Sequence, residues 1–99
     1  MTINEIQAAL NDLVGYVIDR QEEMSDGTCG GLRIHFADDI NQYVDVSTDG
    51  KQIYLSAYDG AILEETSTLD FIDANAIEQF IAYNLDHDDD AREMSDENL

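Results

Sequence analysis

The chain has 99 residues, enough for one small domain, and its 23 Asp and Glu against four Lys and Arg give a formal net charge of −19. A negative field of this strength repels nucleic acid and anionic membranes and attracts cationic surfaces, so the composition excludes direct nucleic-acid binding by a basic patch. The hydrophobic fraction of 43% supports a folded core and excludes a wholly disordered acidic chain.

Cysteine content and hydropathy indicate the compartment. Cys29 is the one cysteine, which rules out an internal disulfide framework and fits a reducing compartment. Residues 1 to 5 lack the basic start and apolar stretch of a secretory signal. No apolar run approaches the roughly 18 residues that cross a membrane. We therefore expect a cytoplasmic protein with no membrane partner.

The first predicted element is an amphipathic helix over residues 3 to 24. Thr2 and Glu5 have the spacing of a capping box at its start. Gly15 inside such a helix would cost up to about 1 kcal/mol relative to Ala, and residues 25 to 27, Ser-Asp-Gly, are expected to end it. Apolar residues at steps of three and four predict one buried stripe. The stripe consists of Ile3, Ile6, Leu10, Leu13 and Val17, widened by Val14 and Ile18.

The hydrophobic period then changes to two, which predicts three strands of an antiparallel sheet. A flexible Gly30-Gly31 connection precedes the first strand, and residues 38 to 41 turn the chain into the second. Asp-Gly pairs at residues 49–50 and 59–60 are hairpin signals, and residues 61 to 66 are an edge strand or an extended loop. The residues predicted to face the core are Leu32, Ile34, Phe36, Val44, Val46, Ile53, Leu55 and Ala57.

A closing helix is predicted over residues 73 to 85, with Asp73 as N-cap. Its apolar face would contain Ile77, Phe80, Ile81 and Leu85, and Phe71 would anchor the approach to it. The fold class is therefore α+β, with an N-terminal helix, a three- to four-stranded antiparallel sheet and a C-terminal helix. Both helices are expected on the apolar face of the sheet.

The charge belongs mainly to the predicted domain. We assign residues 1–86 to a single α+β domain and 87–99 to a disordered acidic tail. Residues 86 to 99 hold seven acids and Arg92, a contribution of −6, which leaves −13 on residues 1 to 85. A solubilising tail therefore does not account for the acidity.

Carboxylates of the turns and tyrosines of the outward sheet face form the predicted binding surface. Alternation places the tyrosines away from the core, beside Arg33 and His35. Tyrosines ringed by carboxylates suit a surface that binds Arg and Lys. The alternative is structural, since Tyr is a good strand former on any face and Asp49 and Asp59 are ordinary turn residues. The predicted partner-binding residues are Asp38, Asp39, Tyr43, Asp45, Asp49, Tyr54, Tyr58, Asp59, Glu64 and Glu65.

No sequence pattern points to catalysis or to a metal site. Carboxylates around Cys29 disfavour the thiolate that a catalytic cysteine needs, and a lone outward His35 is typical of a surface histidine. Residues 86 to 90, Asp-His-Asp-Asp-Asp, lack the alternating acids and central Gly of an EF-hand loop. We expect no enzyme activity, no cofactor and no specific metal.

In composition, and in the helix–three strands–helix order predicted for residues 1 to 85, the chain resembles small phage-encoded anti-CRISPR and anti-restriction inhibitors. The resemblance implies a DNA mimic that occludes the DNA- or PAM-binding groove of an enzyme or effector complex, and it assigns no individual residue. Carboxylates two residues apart on a strand are separated by roughly 6.6 Å. That spacing can approximate a run of phosphates, the groups that nucleic-acid-binding proteins contact with Lys and Arg.

Two other functions stay open. An immunity protein or antitoxin that neutralises a basic nuclease toxin has the same physical requirements. A general acidic interaction domain is the third possibility, because Asp outnumbers Glu fifteen to eight and Lys occurs once, a composition typical of halophiles. Ten Ile residues and frequent Asn and Gln instead favour an ordinary mesophile. In each case the expected partner is a basic protein surface.

Overall fold

Five strands and two helices account for most of the residues that the computed structural model describes, which are 1–24 and 29–85; of Cys29 it describes the backbone alone. Three stretches discussed in the sequence analysis lie outside the described residues. They are the predicted helix end at residues 25–27, the Asp-His-Asp-Asp-Asp stretch at residues 86–90 and the predicted tail at residues 87–99. The elements are α1 (Ile3–Ala9), β1 (Tyr16–Glu23), β2 (Cys29–Phe36), β3 (Asp39–Thr48), β4 (Ile53–Asp59), β5 (Ile62–Leu69) and α2 (Ala74–Asn84).

The sheet is an antiparallel meander in which the spatial order of the strands equals their order in the chain. Tyr16, the first residue of β1, pairs with Phe36, the last residue of β2, so the start of β1 lies at the same end of the sheet as the β2–β3 turn. The register shifts between Ile34 and Phe36 where β2 meets β3, and between Ala57 and Tyr58 where β4 meets β5. The β2–β3 and β4–β5 turns consequently lie at one end of the sheet, and the other two strand connections lie at the opposite end.

The predicted start of the first helix is confirmed. The Thr2 hydroxyl accepts the Glu5 backbone N–H at 3.2 Å, and the Glu5 carboxylate accepts the Thr2 N–H at 2.8 Å. Ile6 and Leu10 are buried against the sheet. The capping box and the apolar stripe therefore describe the first turns of the chain correctly.

The prediction that this helix continues to residue 24 is wrong. α1 ends at Ala9, and Gly15 has φ of 90°, a left-handed conformation that a helix interior does not contain. From Tyr16 onward the chain is β1, where the β-branched Val17 and Ile18 suit an extended backbone. Pairing with β2 supplies the backbone partners that a helix would otherwise provide.

The three predicted strands are confirmed, but the sheet has five strands rather than three or four. β1 was predicted as helix. Of the segment 61 to 66, residues 62 to 66 belong to an edge strand, β5, which is one of the two alternatives for that segment, and Ala61 lies in the preceding turn. Gly30 and Gly31 lie within β2, not in a flexible connection. A Cβ on Gly31 would be 2.5 Å from the Val46 carbonyl oxygen, so close packing requires glycine there.

Both helices pack on one face of the sheet, as predicted, with α1 over β2 and α2 over β4. Asp73 caps α2 by accepting the Ala76 N–H at 3.2 Å. Phe71 is 65% exposed, so the prediction that it anchors the helix is wrong; Ile72, the next residue, packs against the core instead. The fully buried core side chains are Ile6, Leu10, Leu32, Ile34, Val44, Val46, Ile53, Leu55, Ile77 and Ile81.

Candidate protein-binding surfaces

The face of the sheet opposite the helices, here the open face, holds the predicted tyrosines. Alternation along β3 and β4 brings Tyr43 opposite Tyr58, Asp45 opposite Ser56, and Ser47 opposite Tyr54. None of these six side chains belongs to the apolar core, which confirms the predicted direction of the tyrosines. Their environment nevertheless differs from that of an exposed acidic surface.

Asp45 is buried in a bidentate ion pair. Arg33, directly opposite on β2, donates from Nε to Asp45 Oδ1 at 2.9 Å and from Nη2 to Oδ2 at 3.1 Å. The side chain of Asp45 is only 4% exposed. This hydrogen bond, more than the opposing effect of burial, raises the pKa of Arg33. Asp45 therefore has a structural partner within the sheet and does not stand among the exposed acids.

Tyr43 lies between Arg33 and Tyr58, which occupy the strands on either side. The guanidinium carbon of Arg33 is 4.0 Å from the Tyr43 ring centroid, a cation–π distance. Tyr58 stacks on Tyr43 with centroids 5.1 Å apart and ring planes at 19°. The Tyr43 hydroxyl donates to the Gly60 carbonyl oxygen at 3.2 Å. An arginine of the chain itself thus already makes the contact with Tyr43 that a partner's arginine was expected to make.

His35 is a second titratable group embedded in the open face, with 8% of its surface exposed. Its Nε2 is 2.8 Å from Asp19 Oδ2, and its Nδ1 is 2.7 Å from the Phe36 carbonyl oxygen. Both partners are acceptors, so both ring nitrogens donate only when the imidazole is protonated. Burial alone lowers the pKa of His35, but the bonds to Phe36 and Asp19 outweigh it and the pKa is raised.

Asp49 lies in the turn between β3 and β4 and is hydrogen-bonded to Tyr54, the second residue of β4. Asp49 Oδ1 accepts the backbone N–H groups of Lys51 and Gln52, each at 2.8 Å, and Oδ2 accepts the Tyr54 hydroxyl at 2.7 Å. The bond from Gln52 N–H, with those from Tyr54 and Lys51, lowers the pKa of Asp49 to about 2. The bond to Asp49 in turn raises the pKa of Tyr54. Asp49 therefore has the structural role that turn chemistry predicts, and Tyr54 is one of its hydrogen-bond partners.

Three exposed acids, Asp12, Asp38 and Asp59, and the half-buried Asp39 collect instead at the end of the sheet that contains the β2–β3 and β4–β5 turns. The segment that leads into β1 reaches this same end, because Tyr16 pairs with Phe36. No Lys or Arg occurs in the three segments concerned, residues 10–15, 36–41 and 58–63. We call this surface the acidic end and define it by the carboxylates of Asp12, Asp38, Asp39 and Asp59 and the apolar side chains of Val14, Ile40 and Ile62.

The apolar side chains of the acidic end are unusually exposed. Val14 is 88% exposed, Ile40 is 74% and Ile62 is 66%. Asp39 helps to shape the turn by accepting the Asn41 N–H at 2.9 Å. Isolated exposed apolar residues are ordinary, but three at one end among carboxylates resemble an interface with an apolar centre and a charged rim. The prediction that Val14 belongs to the buried stripe of the first helix is therefore wrong. Ile40 and Ile62 were not predicted as binding residues, and their one signal in the sequence is that they stand in or next to polar turns.

Glu64 and Glu65 extend the acidic character along the outer strand. Both side chains are exposed, and they occupy the part of β5 where the register with β4 shifts. Glu65 pairs with the core-facing Ala57, so it lies on the helix side of the sheet rather than on the open face. The ten predicted residues are therefore divided among three places: the open face and its turn, the acidic end, and β5.

Within residues 1–24 and 29–85 there is no group of three or more His, Cys, Asp or Glu side chains arranged to hold a metal ion. Neither helix in this part of the chain has the length and apolar character needed to cross a membrane.

No protein family, curated protein sequence or solved structure matches this chain. The helix–three strands–helix order, on which the resemblance to anti-CRISPR and anti-restriction inhibitors partly rests, is replaced by helix–five strands–helix. The acidic composition is the part of that resemblance that the chain retains.

Proposed function

We propose that this protein binds the cationic, nucleic-acid-binding surface of another protein through its acidic end and blocks access of nucleic acid to it. The observation that carries the proposal is the acidic end itself, where four carboxylates and three exposed apolar side chains share one end of the sheet in segments without Lys or Arg. The role is that of an inhibitor by occlusion, with no chemical step and no cofactor.

Electrostatics supports this assignment more strongly for the acidic end than for the open face. On the open face, Arg33 offsets the charge of Asp45, and His35 offsets that of Asp19 when its imidazole is protonated. At the acidic end no cationic side chain from the same segments offsets the carboxylates. A partner that uses Lys and Arg to bind phosphates would meet a similar density of negative charge there.

The apolar side chains would make the complex longer-lived than charge alone would. Long-range attraction speeds the encounter and selects cationic partners, whereas buried apolar contacts slow dissociation. Val14, Ile40 and Ile62 can supply such contacts once water is displaced. Inhibition of a defence effector and neutralisation of a nuclease toxin both fit this chemistry; we favour the former because it requires only occlusion of a DNA-binding groove.

Capture from a host lysate with matched variants tests the proposal. The variant D38N/D39N/D59N removes three charges at the acidic end, and E22Q/E23Q/D70N removes three from residues at the opposite end of the sheet. We expect the first variant to bind the captured protein at least about tenfold more weakly, roughly 1.4 kcal/mol, and the second to bind it nearly as wild type does. The captured protein should bind duplex DNA, and DNA should compete with the full chain for it.

Salt dependence supplies the second measurement. Affinity for the captured protein should fall steeply as NaCl rises, with a smaller slope for D38N/D39N/D59N. Equal loss in both variants, a salt-independent affinity, or simultaneous binding of DNA and this protein by the target would each overturn the proposal.

A further inference from the structure

The outer edge of β5 is an open hydrogen-bonding edge. β4 pairs with one side of Ile62–Leu69, and no strand among residues 1–24 and 29–85 pairs with the other. Backbone N–H and C=O groups of such an edge are available to an added strand. Six of the eight side chains of β5 are exposed. β5 is thus the more accessible edge, since β1 has half-buried side chains over its first three residues.

A groove runs beside this edge between β5 and α2. It has a volume of about 350 Å³, and its walls include Leu55, Leu69, Ala76, Phe80 and Tyr83, with Glu65 on the β5 side. Tyr83 is 81% exposed, so the groove is open to solvent on its outer side. The side chains of an added strand that point toward α2 would enter this groove.

Charge decides what can occupy the edge and the groove. Residues 53 to 84, which form β4, β5 and α2, contain no Lys or Arg, and Glu64 and Glu65 stand exposed on the edge strand itself. A second copy of this −19 chain, or its own segment of residues 86 to 99 with seven acids, would place further carboxylates against these two. The same glutamates attract a strand that carries Lys or Arg.

β1, the other edge strand, does not offer the same combination. Arg20 lies on it and donates from Nη1 to Asn4 at 2.7 Å and to Gln7 at 3.3 Å, which ties α1 to this edge. The adjacent acids Glu22 and Glu23 make β1 a suitable control, because they form the same pair of neighbouring glutamates on an edge strand.

We propose that β5 binds an extended segment of a partner protein, with alternating apolar and Lys or Arg side chains, by adding it to the sheet as a sixth strand. Its apolar side chains fill the groove beside α2, and the negative potential of Glu64 and Glu65 attracts its cationic side chains. This inference rests on the proposed function in so far as the partner is cationic, and it assigns a second contact, separate from the acidic end.

Fluorescein-labelled ten-residue peptides of alternating Lys and Val are the probe for the full-length chain, with fluorescence anisotropy as the readout. We expect measurable binding and slower hydrogen–deuterium exchange in residues 62 to 69. Two further peptides are N-methylated on alternate residues, one on the Lys residues and the other on the Val residues, so both keep every charge. In one of the two, methylation removes the N–H donors that face β5. That peptide should bind at least about tenfold more weakly than the unmodified one.

Charge reversal at the two edges provides the matched comparison. E64K/E65K should weaken peptide binding at least about tenfold, whereas E22K/E23K, with the same change in net charge, should weaken it by less than about threefold. Equal weakening by both variants, equal binding of all N-methylated peptides, or exchange protection confined to other segments would overturn the proposal in favour of non-specific attraction.

The outcome is separable from that of the proposed function. D38N/D39N/D59N leaves β5 intact, so it should bind the peptide nearly as tightly as wild type does while it loses the captured target. If the target fails to compete with DNA, the proposed function fails while the peptide measurements still decide the role of β5.

Discussion

The open face of the sheet and the acidic end hold similar residues with opposite consequences. On the open face, Asp45 and Asp19 lie against Arg33 and His35, and their carboxylates serve the fold. At the acidic end, Asp12 and Asp59 are exposed on segments that contain no basic residue. Net charge therefore measures how acidic the protein is, whereas strand register determines which carboxylates have a basic neighbour within the sheet and which do not.

The largest effect is expected from removing the cation of the buried ion pair. Arg33→Ala leaves the carboxylate of Asp45 buried without its bidentate donor, and we expect a loss of about 3 kcal/mol or more in the free energy of unfolding. Urea denaturation measures it. Arg20→Ala, which removes an exposed arginine with the same change in charge, should cost less than about 1 kcal/mol. Similar losses in the two variants would show that the open face is not held by this pair.

A smaller effect, visible as a pH dependence, is expected at His35. Its pKa is raised in the folded state, so its contribution to stability is complete below the unfolded pKa of about 6.5 and is lost as pH rises through the folded pKa. His35→Gln should therefore lower the urea midpoint more at about pH 5.5 than at about pH 9. Asp19→Asn should reduce the same pH dependence. An identical loss for His35→Gln at both pH values would contradict a protonated His35 in the fold.

The smallest effect on stability is expected at the acidic end. D38N/D39N/D59N neutralises carboxylates of two surface turns and relieves repulsion, and Asn at residue 39 can still accept the Asn41 N–H. The free energy of unfolding should therefore change by less than about 0.5 kcal/mol or rise slightly. Thermal and urea unfolding of this variant beside wild type provide the check. A large destabilisation would mean that these acids serve the fold, as those of the open face do, and would remove the contrast between the two regions.

Much of the fold follows from local patterns. The alternation at Ile34, Val44 and Leu55 predicts strands and their buried face, and Asp73 marks the start of α2. The segment from residue 10 to 23 was mistaken for helix because Leu13 and Val17 happen to continue the spacing of Ile6 and Leu10. The conformation of Gly15 and the pairing with β2 decide against that pattern, and neither can be derived from residue spacing alone.

The binding surface was less predictable than the fold. Alternation correctly places Tyr43 and Asp45 on the outward face, but it contains no information on which strand lies beside them. Only the register reveals that Arg33 faces Asp45 and lies over Tyr43. Likewise, Val14 and Ile40 become part of one surface only when three connections meet at the same end of the sheet.

The meander order also bears on how such a chain can fold at all. Neighbouring strands are also consecutive in the chain, so the contacts of this sheet are closer in sequence than those of a sheet with crossovers, and a lower contact order favours faster folding. Each hairpin can close before distant carboxylates must approach one another. A strand order with long crossovers would bring remote acidic segments together early in assembly, when little apolar surface is yet buried to offset their repulsion.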